Sequence, residues 1–382
     1  MTRWAILTGE YPPQPGGVSD YTALIARRLA AEGDTVHVFA PATNLGTELA
    51  DPGVTVHRLA GRFGPRSLAA LDRLLTTRPL PDRILVQYVP HAFGFKAMNL
   101  PFATWIASRA RRLPPVWVMF HEVAFPFSWR PLKHAVLAAT TQVMARLLAG
   151  AADRVFVSIP AWGQMLGRIH PGGRRPEWLP VPSTLPADPS PDAVAAVRSR
   201  FAPGETPLVG HFGTFGWLVT DLLAPSLVAL VRLAPNLRIL LVGRGSVEFA
   251  ARFKTTHPEW RSRVEATGEL PNQAISAHLR ACDVMIQPFP DGVSSRRTSA
   301  MAAMANGVPV VTNLGFLSEP MWAHGAVAAA ATPDPIKIAE LAAALLADPV
   351  ARTNLGRQGL ALYKDAFALE HTMTRLTKLG GE

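Results

Sequence analysis

Cysteine is almost missing from this chain of 382 residues: Cys282 is the only one, so no intramolecular disulfide can form. The eleven histidines lack the HExxH spacing and the Cys/His pairs of zinc sites. No stretch of about 18 apolar residues runs without a charge, and the opening "RWAILT" is typical of a first strand rather than a signal peptide. These absences predict a globular protein of the reducing cytoplasm, without zinc and without a membrane span.

Acidic residues are scarce in the first half only. Residues 1–182 contain 20 Lys and Arg against 11 Asp and Glu, whereas residues 183–382 contain 18 against 17. The formal net charge of +10 therefore belongs almost wholly to the first half. This asymmetry favours contact between that half and a phosphorylated ligand or an anionic surface, although a soluble basic surface would show the same pattern.

The apolar runs predict an α/β fold class with two doubly wound parallel sheets. In the first half, β-rich segments alternate with helical patterns and lie near residues 3–8, 35–40, 54–59, 83–89, 115–120 and 154–158. The second half repeats this rhythm in "PLVGHF", "LRILLV", "RVEAT", "DVMIQ" and "VPVVT". Because the proline-rich "LPVPSTLPADPSP" indicates a linker, we place the domain boundary between residues 182 and 183.

The loop after the first strand, "TGEYPPQPGGVSDY", lies where ligands of such sheets bind. Gly16 and Gly17 lack Cβ atoms, so their amides can approach a phosphate, and the helix that follows turns its positive end towards the same anion. Neither GxGxxG nor a Walker A loop is present, and a structural turn explains a glycine pair at least as well. Tyr11 and Asp20 flank this loop and are weaker candidates for substrate contact.

Motifs along nearly the whole chain resemble glycosyltransferase family 4, which has a two-Rossmann GT-B architecture. "YPPQPGGVSDYTALIARRLAAEGDTVHVFAP" resembles the family's opening, and in "VMFHEVAF" a histidine follows a strand as it does in the family. Three further segments follow in the order of the family's motifs. "LLVGRGS" resembles its GxG strand end, and "ATGELPNQAISAHLRACDVMIQPFPDG" resembles its base-binding turn with the next strand. "MAAMANGVPVVTN" resembles its EAMAxGxPVV helix and strand. "DAFALEHTMTRL" resembles the family's last helix.

This resemblance implies a retaining hexosyltransferase that moves a sugar from a nucleotide diphosphate sugar to a hydroxyl acceptor. It implies no obligatory metal or other cofactor and no nucleic acid partner; the acceptor would be a glycan, a lipid-linked sugar or a small molecule. Residues 1–182 would bind the acceptor, residues 183–363 would bind the donor, and a helix over residues 364–382 would cross back onto the first domain. A cleft between the domains would exclude water.

The resemblance, together with the chemistry of the residues themselves, predicts roles for particular residues. His121 and Asp291 are expected to act at the transferred sugar. The residues expected to bind the donor diphosphate and sugar are Gly16, Gly17, Gly213, Thr214, Ser294, Ser295, Arg296, Arg297, Thr298 and Glu319. Those expected to bind the nucleobase are Gly243, Gly268 and Leu270. Turns, helix caps, a core histidine or solvated surface charges are the structural alternatives.

Two features of the family are missing from the sequence. Its paired glutamates, eight positions apart, are replaced by Ser294 and Ala302 in the direct register, and three inserted residues would align Asp291 with the first of them. The Arg and Lys that neutralise the diphosphate after the first strand of the second domain are absent from "GHFGTFGWLVTDLL". The diphosphate therefore needs another cation.

The segment "DGVSSRRTSAMAAMANG" offers that cation. Ser294 and Ser295 are potential N-caps of an alanine-rich helix that ends at Gly307, which would put Arg296 and Arg297 on its first turn. The helix dipole disfavours cations there, and a bound diphosphate would relieve this conflict. We expect these arginines to replace the family's Arg and Lys.

Two other functions stay open at the level of sequence. A nucleotide-sugar epimerase of the same fold would need acid and base carboxylates, which are scarce here, and a non-catalytic sugar-nucleotide-binding protein would explain the missing glutamates. The sequence does not specify the base, the sugar or the acceptor.

The region over residues 91–150 has a composition that fits peripheral docking on an anionic inner membrane face. It carries seven Lys and Arg against one Glu. Its interleaved aromatic residues are Phe93, Phe95, Phe102, Trp105, Phe125, Phe127 and Trp129. Burial of these aromatics in the core is the alternative.

Overall fold

The computed structural model describes residues 1–44, 51–77, 79–127 and 132–378, and it contains two α/β units. The first unit is Met1–Pro180 with the chain from Thr372 onward, and the second is Val181–His371. Within the described residues, no helix is both long and apolar enough to cross a membrane. Residues 379–382, the end of the expected last helix, lie outside the described residues.

The first unit is built on a seven-stranded parallel sheet with the order β3-β2-β1-β4-β5-β6-β7. Its strands are β1 (Arg3–Thr8), β2 (Thr35–Pro41), β3 (Val54–Leu59), β4 (Arg83–Tyr88), β5 (Val116–Phe120), β6 (Arg154–Val157) and β7 (Glu177–Trp178). Its helices are α1 (Gly17–Ala31), α2 (Pro65–Thr76), α3 (Leu100–Arg109), α4 (Leu132–Ala151) and α5 (Pro160–Ile169).

The second unit is built on a six-stranded parallel sheet with the order β10-β9-β8-β11-β12-β13. Its strands are β8 (Leu208–Phe212), β9 (Arg238–Val242), β10 (Val264–Ala266), β11 (Val284–Ile286), β12 (Val310–Asn313) and β13 (Ala328–Ala330). Its helices are α6 (Pro191–Phe201), α7 (Trp217–Leu233), α8 (Ser246–Thr256), α9 (Asn272–Arg280), α10 (Thr298–Ala305), α11 (Pro335–Ala347) and α12 (Pro349–Leu362).

The fold class is the one that the apolar runs predict: two doubly wound parallel-sheet domains. The central strands carry continuous apolar runs because both faces of a parallel sheet are covered by helices, and β5 is buried at all five of its residues. Two short edge strands, β7 and β13, were not predicted. The dipeptide β7 and the three alanines of β13 are too short and too weakly apolar to give a strand pattern.

The predicted terminal helix over residues 364–382 is wrong as a single element. Helix α12 passes into a π-helical turn at Tyr363–Phe367, Ala368 is extended, and α13 then runs over Leu369–Lys378. The break is stabilised by burial of Phe367, whose ring stacks on Trp322 with centroids 5.4 Å apart. Beyond the break, the carbonyl of Leu376 accepts a hydrogen bond from Arg83 in the first unit.

The aromatic residues of the 91–150 region separate into two groups. Phe93, Phe102 and Trp105 are buried and belong to the core of the first unit, so the expectation that they face a membrane is wrong. Phe127 is 48% exposed. Trp129 lies outside the described residues. The core takes these aromatics because large apolar rings contribute more to stability when they are removed from water.

Cys282 follows α9 and is buried. Its Sγ lies 3.2 Å from the carbonyl oxygen of His278, and burial raises the pKa of its thiol. The space beside it is filled, because a Cβ on Gly210 would overlap the sulfur atoms of Cys282 and Met285. The thiol is therefore a packing group rather than a reactive one.

His211 is a buried polar residue on β8. Its Nδ1 lies 2.7 Å from the carbonyl oxygen of Ile286, and since a carbonyl can only accept, the ring carries its proton on Nδ1. Burial lowers the pKa of His211 to about 4, although the bond to Ile286 acts in the opposite direction. The imidazole is thus neutral in the folded protein at neutral pH.

This burial predicts a specific acid sensitivity. As the pH falls below about 6.5, the unfolded chain protonates His211 while the folded chain does not, so the free energy of unfolding falls by about 1.4 kcal/mol per pH unit until the folded pKa is approached. In His211→Asn, whose amide can still donate to Ile286, this loss should be absent. Between about pH 7 and about pH 4.5, urea unfolding should show a loss about 2 kcal/mol smaller for this variant than for the wild type. Exposed His324→Asn is the control, and parallel wild-type and His211→Asn curves would contradict the prediction.

Candidate active site

The glycine loop is the chain between the end of β1 and the start of α1. Thr8 donates its hydroxyl to the carbonyl of Glu10 at 2.8 Å, which turns the chain at the end of the strand. The Glu10 carboxylate then folds back and accepts a hydrogen bond from the backbone amide of Ser19 at 3.2 Å. A Cβ on Gly16 would overlap this carboxylate, whereas a Cβ on Gly17 would meet no atom of the described chain within 4 Å.

Glu10 therefore accepts hydrogen bonds from amides in the first turn of α1, the helix end that was expected to face a diphosphate. Gly16 is the N-cap residue of α1 and has no side chain to cap it, so Glu10 supplies the missing acceptor from six residues upstream. Burial raises the pKa of Glu10, partly offset by the hydrogen bonds from the amides of Ser19 and Val18 and by the nearby His91. The sequence analysis missed this residue, although a Glu between a strand and a glycine pair was visible as a competitor for the helix end.

Tyr11 holds the proline-rich part of the loop rather than pointing to a ligand. It is buried, and its hydroxyl donates to Asp51, which also accepts a 2.6 Å hydrogen bond from Arg27. The guanidinium of Arg58 lies 5.8 Å from the Tyr11 ring and donates to the carbonyl of Pro12. These contacts fix the path of the loop to the edge of the sheet.

His121 lies directly after β5, at the carboxyl end of the sheet, as predicted. Its backbone amide donates to Tyr88, and its carbonyl accepts from the Ser158 hydroxyl and the Trp162 indole. Its ring Nε2 lies 2.8 Å from the side-chain oxygen of Gln87. Because that oxygen only accepts, Nε2 carries the proton and Nδ1 carries the lone pair.

The environment of His121 keeps its ring neutral. The ring is buried and meets the Tyr21 ring edge-on, with centroids 4.9 Å apart. Burial lowers the pKa of His121 to about 3. A histidine with this pKa is a hydrogen-bonding group at neutral pH rather than an acid or a cation.

In the second unit, the loops after β8, β9 and β10 meet through glycine backbone. Gly213 donates to the carbonyl of Val242, and Gly243 donates to the carbonyl of Gly268. Gly243 has φ +113°, and a Cβ there would overlap the Gly213 carbonyl oxygen, so its lack of a side chain is required by the fold itself. Thr214 lies against Gly245 in the same cluster, and Leu270 is half-buried in the loop before α9.

A cluster of charges follows β11. Asp291 accepts a 2.5 Å hydrogen bond from Arg296 and a second bond from Arg297, and the side chains of all three are at most 22% exposed. The Arg297 guanidinium also lies 4.6 Å from the centroid of the Phe289 ring. We call Asp291, Arg296 and Arg297 the arginine cluster. Asp291, expected at the transferred sugar, is therefore paired with the two arginines.

The predicted start of the helix after this cluster is wrong. Helix α10 begins at Thr298, Arg297 is its N-cap residue, and Arg296 precedes it. Ser294 and Ser295 are not caps: the amide of Arg297 donates to the carbonyl of Ser294, which closes a turn before the helix. The Ser294 hydroxyl is buried and has no hydrogen-bond partner within the described chain.

Glu319 is buried and binds the same turn from the loop after β12. Its carboxylate accepts from the Ser295 amide at 3.1 Å, from the Ser295 hydroxyl at 2.5 Å and from the Trp322 indole at 2.6 Å. The loops also interlock through backbone, because a Cβ on Gly292 would overlap Gly315. Through its hydrogen bonds to Ser295, Glu319 thus fixes the turn that precedes the two arginines of the arginine cluster.

The candidate residues of the second unit share one edge of its sheet. Strand β8 lies next to β11 and β11 next to β12, so the loops that carry Gly213, Asp291 and Glu319 leave neighbouring strands at their carboxyl ends. Gly16, Gly17 and His121 lie at the corresponding edge of the first sheet. Within the described ranges, no three His, Cys, Asp or Glu side chains lie close enough together to hold a metal ion.

Comparison with known proteins agrees with this arrangement. The family model Glycosyl transferase 4-like domain matches residues 16–184, and the family model Glycosyl transferases group 1 matches residues 206–348. The first range contains the glycine loop from Gly16 and His121, and the second contains every candidate residue of the second unit.

Individual proteins are similar over most of their length. A GDP-mannose-dependent alpha-mannosyltransferase of Mycolicibacterium smegmatis is 26% identical over 324 residues, which are 81% of this chain and 79% of the relative. Sucrose-phosphate synthase of Thermosynechococcus elongatus has a TM-score of 0.75 and 18% identity over 99% of this chain and 98% of its own. Anabaena Alr3699/HepE, solved with UDP and glucose, has a TM-score of 0.72 and 18% identity over all of both chains. The chain thus belongs to the glycosyltransferases of the GT-B, family 4 type, with a glycosyl transferase 4-like domain followed by a group 1 domain.

Proposed function

We propose that this glycosyltransferase is a retaining hexosyltransferase whose donor diphosphate is bound by the arginine cluster. The observation that carries the proposal is the cluster itself: two guanidinium groups, positioned by one carboxylate, at the carboxyl edge of the second sheet. Guanidinium groups bind phosphate oxygens bidentately and keep their charge at every physiological pH. They supply the positive charge that the segment after β8 lacks.

Asp291 has a positioning role in this scheme. It neutralises Arg296 and Arg297 when no ligand is bound, which keeps two adjacent cations half-buried without strong repulsion. A diphosphate would share or take over these hydrogen bonds. With both of its oxygens directed at arginines, Asp291 is poorly suited to removing a proton from an acceptor.

His121 is suited to orienting a sugar. Its neutral ring is fixed by Gln87 and Tyr21, which leaves Nδ1 as an acceptor for a substrate hydroxyl. Its lowered pKa argues against general-base catalysis, because the protonated form would be a strong acid with little population at neutral pH.

These two assignments favour a mechanism in which the substrates move the proton. The bond between the anomeric carbon and the departing phosphate oxygen breaks, the arginines stabilise the charge on that oxygen, and the acceptor oxygen attacks on the same face. The departing phosphate takes the proton of the acceptor hydroxyl, so configuration is retained and no protein base is required. The scarcity of free carboxylates, which weighs against an epimerase, is compatible with this route.

The donor sugar is a hexose in this proposal, and GDP-mannose and UDP-glucose are the first donors to test. The relative of Mycolicibacterium smegmatis is named for the first, and Anabaena Alr3699/HepE was solved with the second. A thermal-shift panel of GDP-, UDP-, ADP- and dTDP-sugars would select the donor, because a ligand of the native state raises its stability by mass action. Donor binding without transfer to any acceptor would favour the non-catalytic alternative.

The surface of α4 supports a lipid-linked acceptor and peripheral contact with an anionic membrane. Leu132, Val136 and Val143 are 72%, 51% and 48% exposed, and with Ala139 they recur at helical spacing on one face. Lys133 and Arg146 are exposed on the same helix, within the region that carries seven basic residues against one Glu. Apolar insertion flanked by basic groups is the pattern of interfacial helices.

Removing either guanidinium of the arginine cluster should weaken donor binding. Arg296→Ala or Arg297→Ala should raise the donor Kd by about 5- to 150-fold, equivalent to about 1–3 kcal/mol, because a charge-assisted hydrogen bond is lost and the phosphate is left poorly paired. Isothermal titration with the selected nucleotide sugar measures this. Arg357→Ala, at an exposed residue of α12, is the matched control and should bind as the wild type does. Unchanged affinity in both cluster variants would disprove the phosphate assignment.

His121→Ala should lower turnover more than donor affinity. If Nδ1 orients the sugar in the transition state, kcat should fall by about 10- to 1000-fold while donor Kd changes by less than about threefold. Initial rates and titrations on the same preparations separate the two effects. Gln87→Leu, which removes the group that fixes the ring, should shift kcat in the same direction by a smaller factor. A His121→Ala variant that loses donor affinity but keeps kcat would contradict this role.

Charging the exposed face of α4 should weaken membrane binding. Leu132→Asp with Val136→Asp removes apolar area that lies outside the core, so folding should be retained while sedimentation with anionic liposomes falls several-fold. Val350→Asp, on a 70% exposed residue of the second unit, is the control. Wild-type sedimentation that is the same on anionic and zwitterionic vesicles would refute the membrane proposal.

A further inference from the structure

A groove lies between α7 and α8 in the second unit. Each of these helices connects two neighbouring parallel strands, and the order β10-β9-β8 places both helices on the same face of the sheet. The groove has a volume of about 490 Å³, which is within the range of small-molecule sites. None of the residues that line it is among the candidate residues of the active site.

The floor of the groove is a row of phenylalanine rings. Phe215, Phe249 and Phe253 line the groove and are at most 8% exposed. The ring centroids of Phe215 and Phe249 are 5.4 Å apart, and those of Phe249 and Phe253 are 6.1 Å apart. Since all three rings belong to the packed core of the second unit, a ligand in the groove meets a fixed apolar surface.

Trp217 is an exposed aromatic ring at the wall of the same groove. It is 71% exposed, and its indole makes no hydrogen bond and no ring contact within the part of the chain that the structure describes. The face of an aromatic ring carries negative partial charge, and the C–H bonds on one face of a sugar ring carry positive partial charge. An open indole therefore binds a sugar ring by stacking.

Asp221 and Arg252 border the groove from opposite helices. Both residues are exposed, and among the described residues neither the carboxylate nor the guanidinium has a hydrogen-bond or ion-pair partner. Their charges are opposite, so an anion that is attracted by Arg252 is repelled by Asp221. A hydroxyl group donates to a carboxylate and accepts from a guanidinium, so an uncharged ligand with several hydroxyl groups satisfies both side chains.

We propose that the groove between α7 and α8 is a second sugar-binding site, which takes an uncharged oligosaccharide. Trp217 stacks on one sugar ring, and Asp221 and Arg252 bind hydroxyl groups at its edge. A nucleotide would bring its phosphate near Asp221, and a lipid chain would leave both charged groups without a partner. Such a site holds a glycan apart from the reacting groups and raises its local concentration at the enzyme. It goes beyond the proposed function, because it does not depend on the arginine cluster.

Titration with uncharged tetrasaccharides, in the absence of nucleotide sugar, tests this site. Saturation-transfer difference NMR should detect binding of maltotetraose, cellotetraose or mannotetraose with a Kd in the millimolar range. Trp217→Ala should weaken that binding by at least about tenfold, because the stacking surface is lost. Leu218→Ala is the matched control: Leu218 is 53% exposed on the same helix and does not line the groove, so this variant should bind as the wild type does.

Asp221→Asn and Arg252→Ala separate an uncharged glycan from a charged ligand. Each should weaken tetrasaccharide binding by about 3- to 10-fold, because a hydroxyl group loses a charge-assisted hydrogen bond. An anionic ligand would instead bind Asp221→Asn more tightly. Arg252→Ala should keep the wild-type affinity for the nucleotide sugar, since the groove is separate from the donor site. Arg261→Ala, at an exposed residue that does not line the groove, is the control for the lost positive charge.

Circular dichroism of each variant checks that the protein is folded. The proposal is overturned if none of the three tetrasaccharides binds the wild type at about 20 mM, or if Leu218→Ala weakens binding as much as Trp217→Ala does. Tighter binding in Asp221→Asn, or loss of nucleotide-sugar binding in Arg252→Ala, would overturn it as well. Because the tetrasaccharide titrations contain no nucleotide sugar, their result does not depend on whether the arginine cluster binds the donor diphosphate.

Discussion

Carboxylates within the protein bind positively charged groups and N–H donors at the ends of strands and helices. These contacts fix the loops that carry the candidate residues at the carboxyl edges of both sheets. Asp291 receives two guanidinium groups, Glu319 receives the Ser295 amide and the Trp322 indole, and Glu10 receives the first amides of α1. At the opposite edge of the second sheet, Asp283 accepts from the Leu208 amide and from Arg198, each at 2.7 Å. Loops fixed in this way need little rearrangement to present their groups to a substrate, which lowers the entropy lost on binding.

The sequence predicted those parts of the molecule that depend on local pattern. Buried parallel strands have continuous apolar runs in their sequence. Eleven of the strands could therefore be identified directly, together with their parallel arrangement and the position of His121 after β5. The start of α10 could not be predicted, because Ser295 is bound by Glu319, a residue 24 positions further along the chain, and does not cap the helix. The pairing of Asp291 with both arginines was equally hidden, since it depends on how the loop after β11 turns. Side chains that act through tertiary contacts leave no periodic signal.

The glycine residues also show that tertiary contacts cannot be predicted from local sequence. Gly213 was expected to bind the donor diphosphate, and Gly243 and Gly268 were expected to bind the nucleobase. Gly243, however, is required by close approach to the Gly213 carbonyl even without a ligand. A Cβ on Gly16 would meet the Glu10 carboxylate, which is the movable end of a side chain, whereas a Cβ on Gly17 would meet no atom of the described chain within 4 Å. A glycine that packs against backbone and a glycine that leaves room for a substrate look identical in a sequence. Only the surrounding atoms separate them.

The buried thiol of Cys282 has a practical consequence for work on this enzyme. With its sulfur packed against Gly210 and its pKa raised, the natural cysteine should react slowly with maleimides and spin labels. The wild-type chain is therefore a ready background in which a single introduced cysteine carries the label. Fluorophore pairs or nitroxides placed at exposed residues of helices such as α4 and α12 would report distances in solution without prior removal of native thiols.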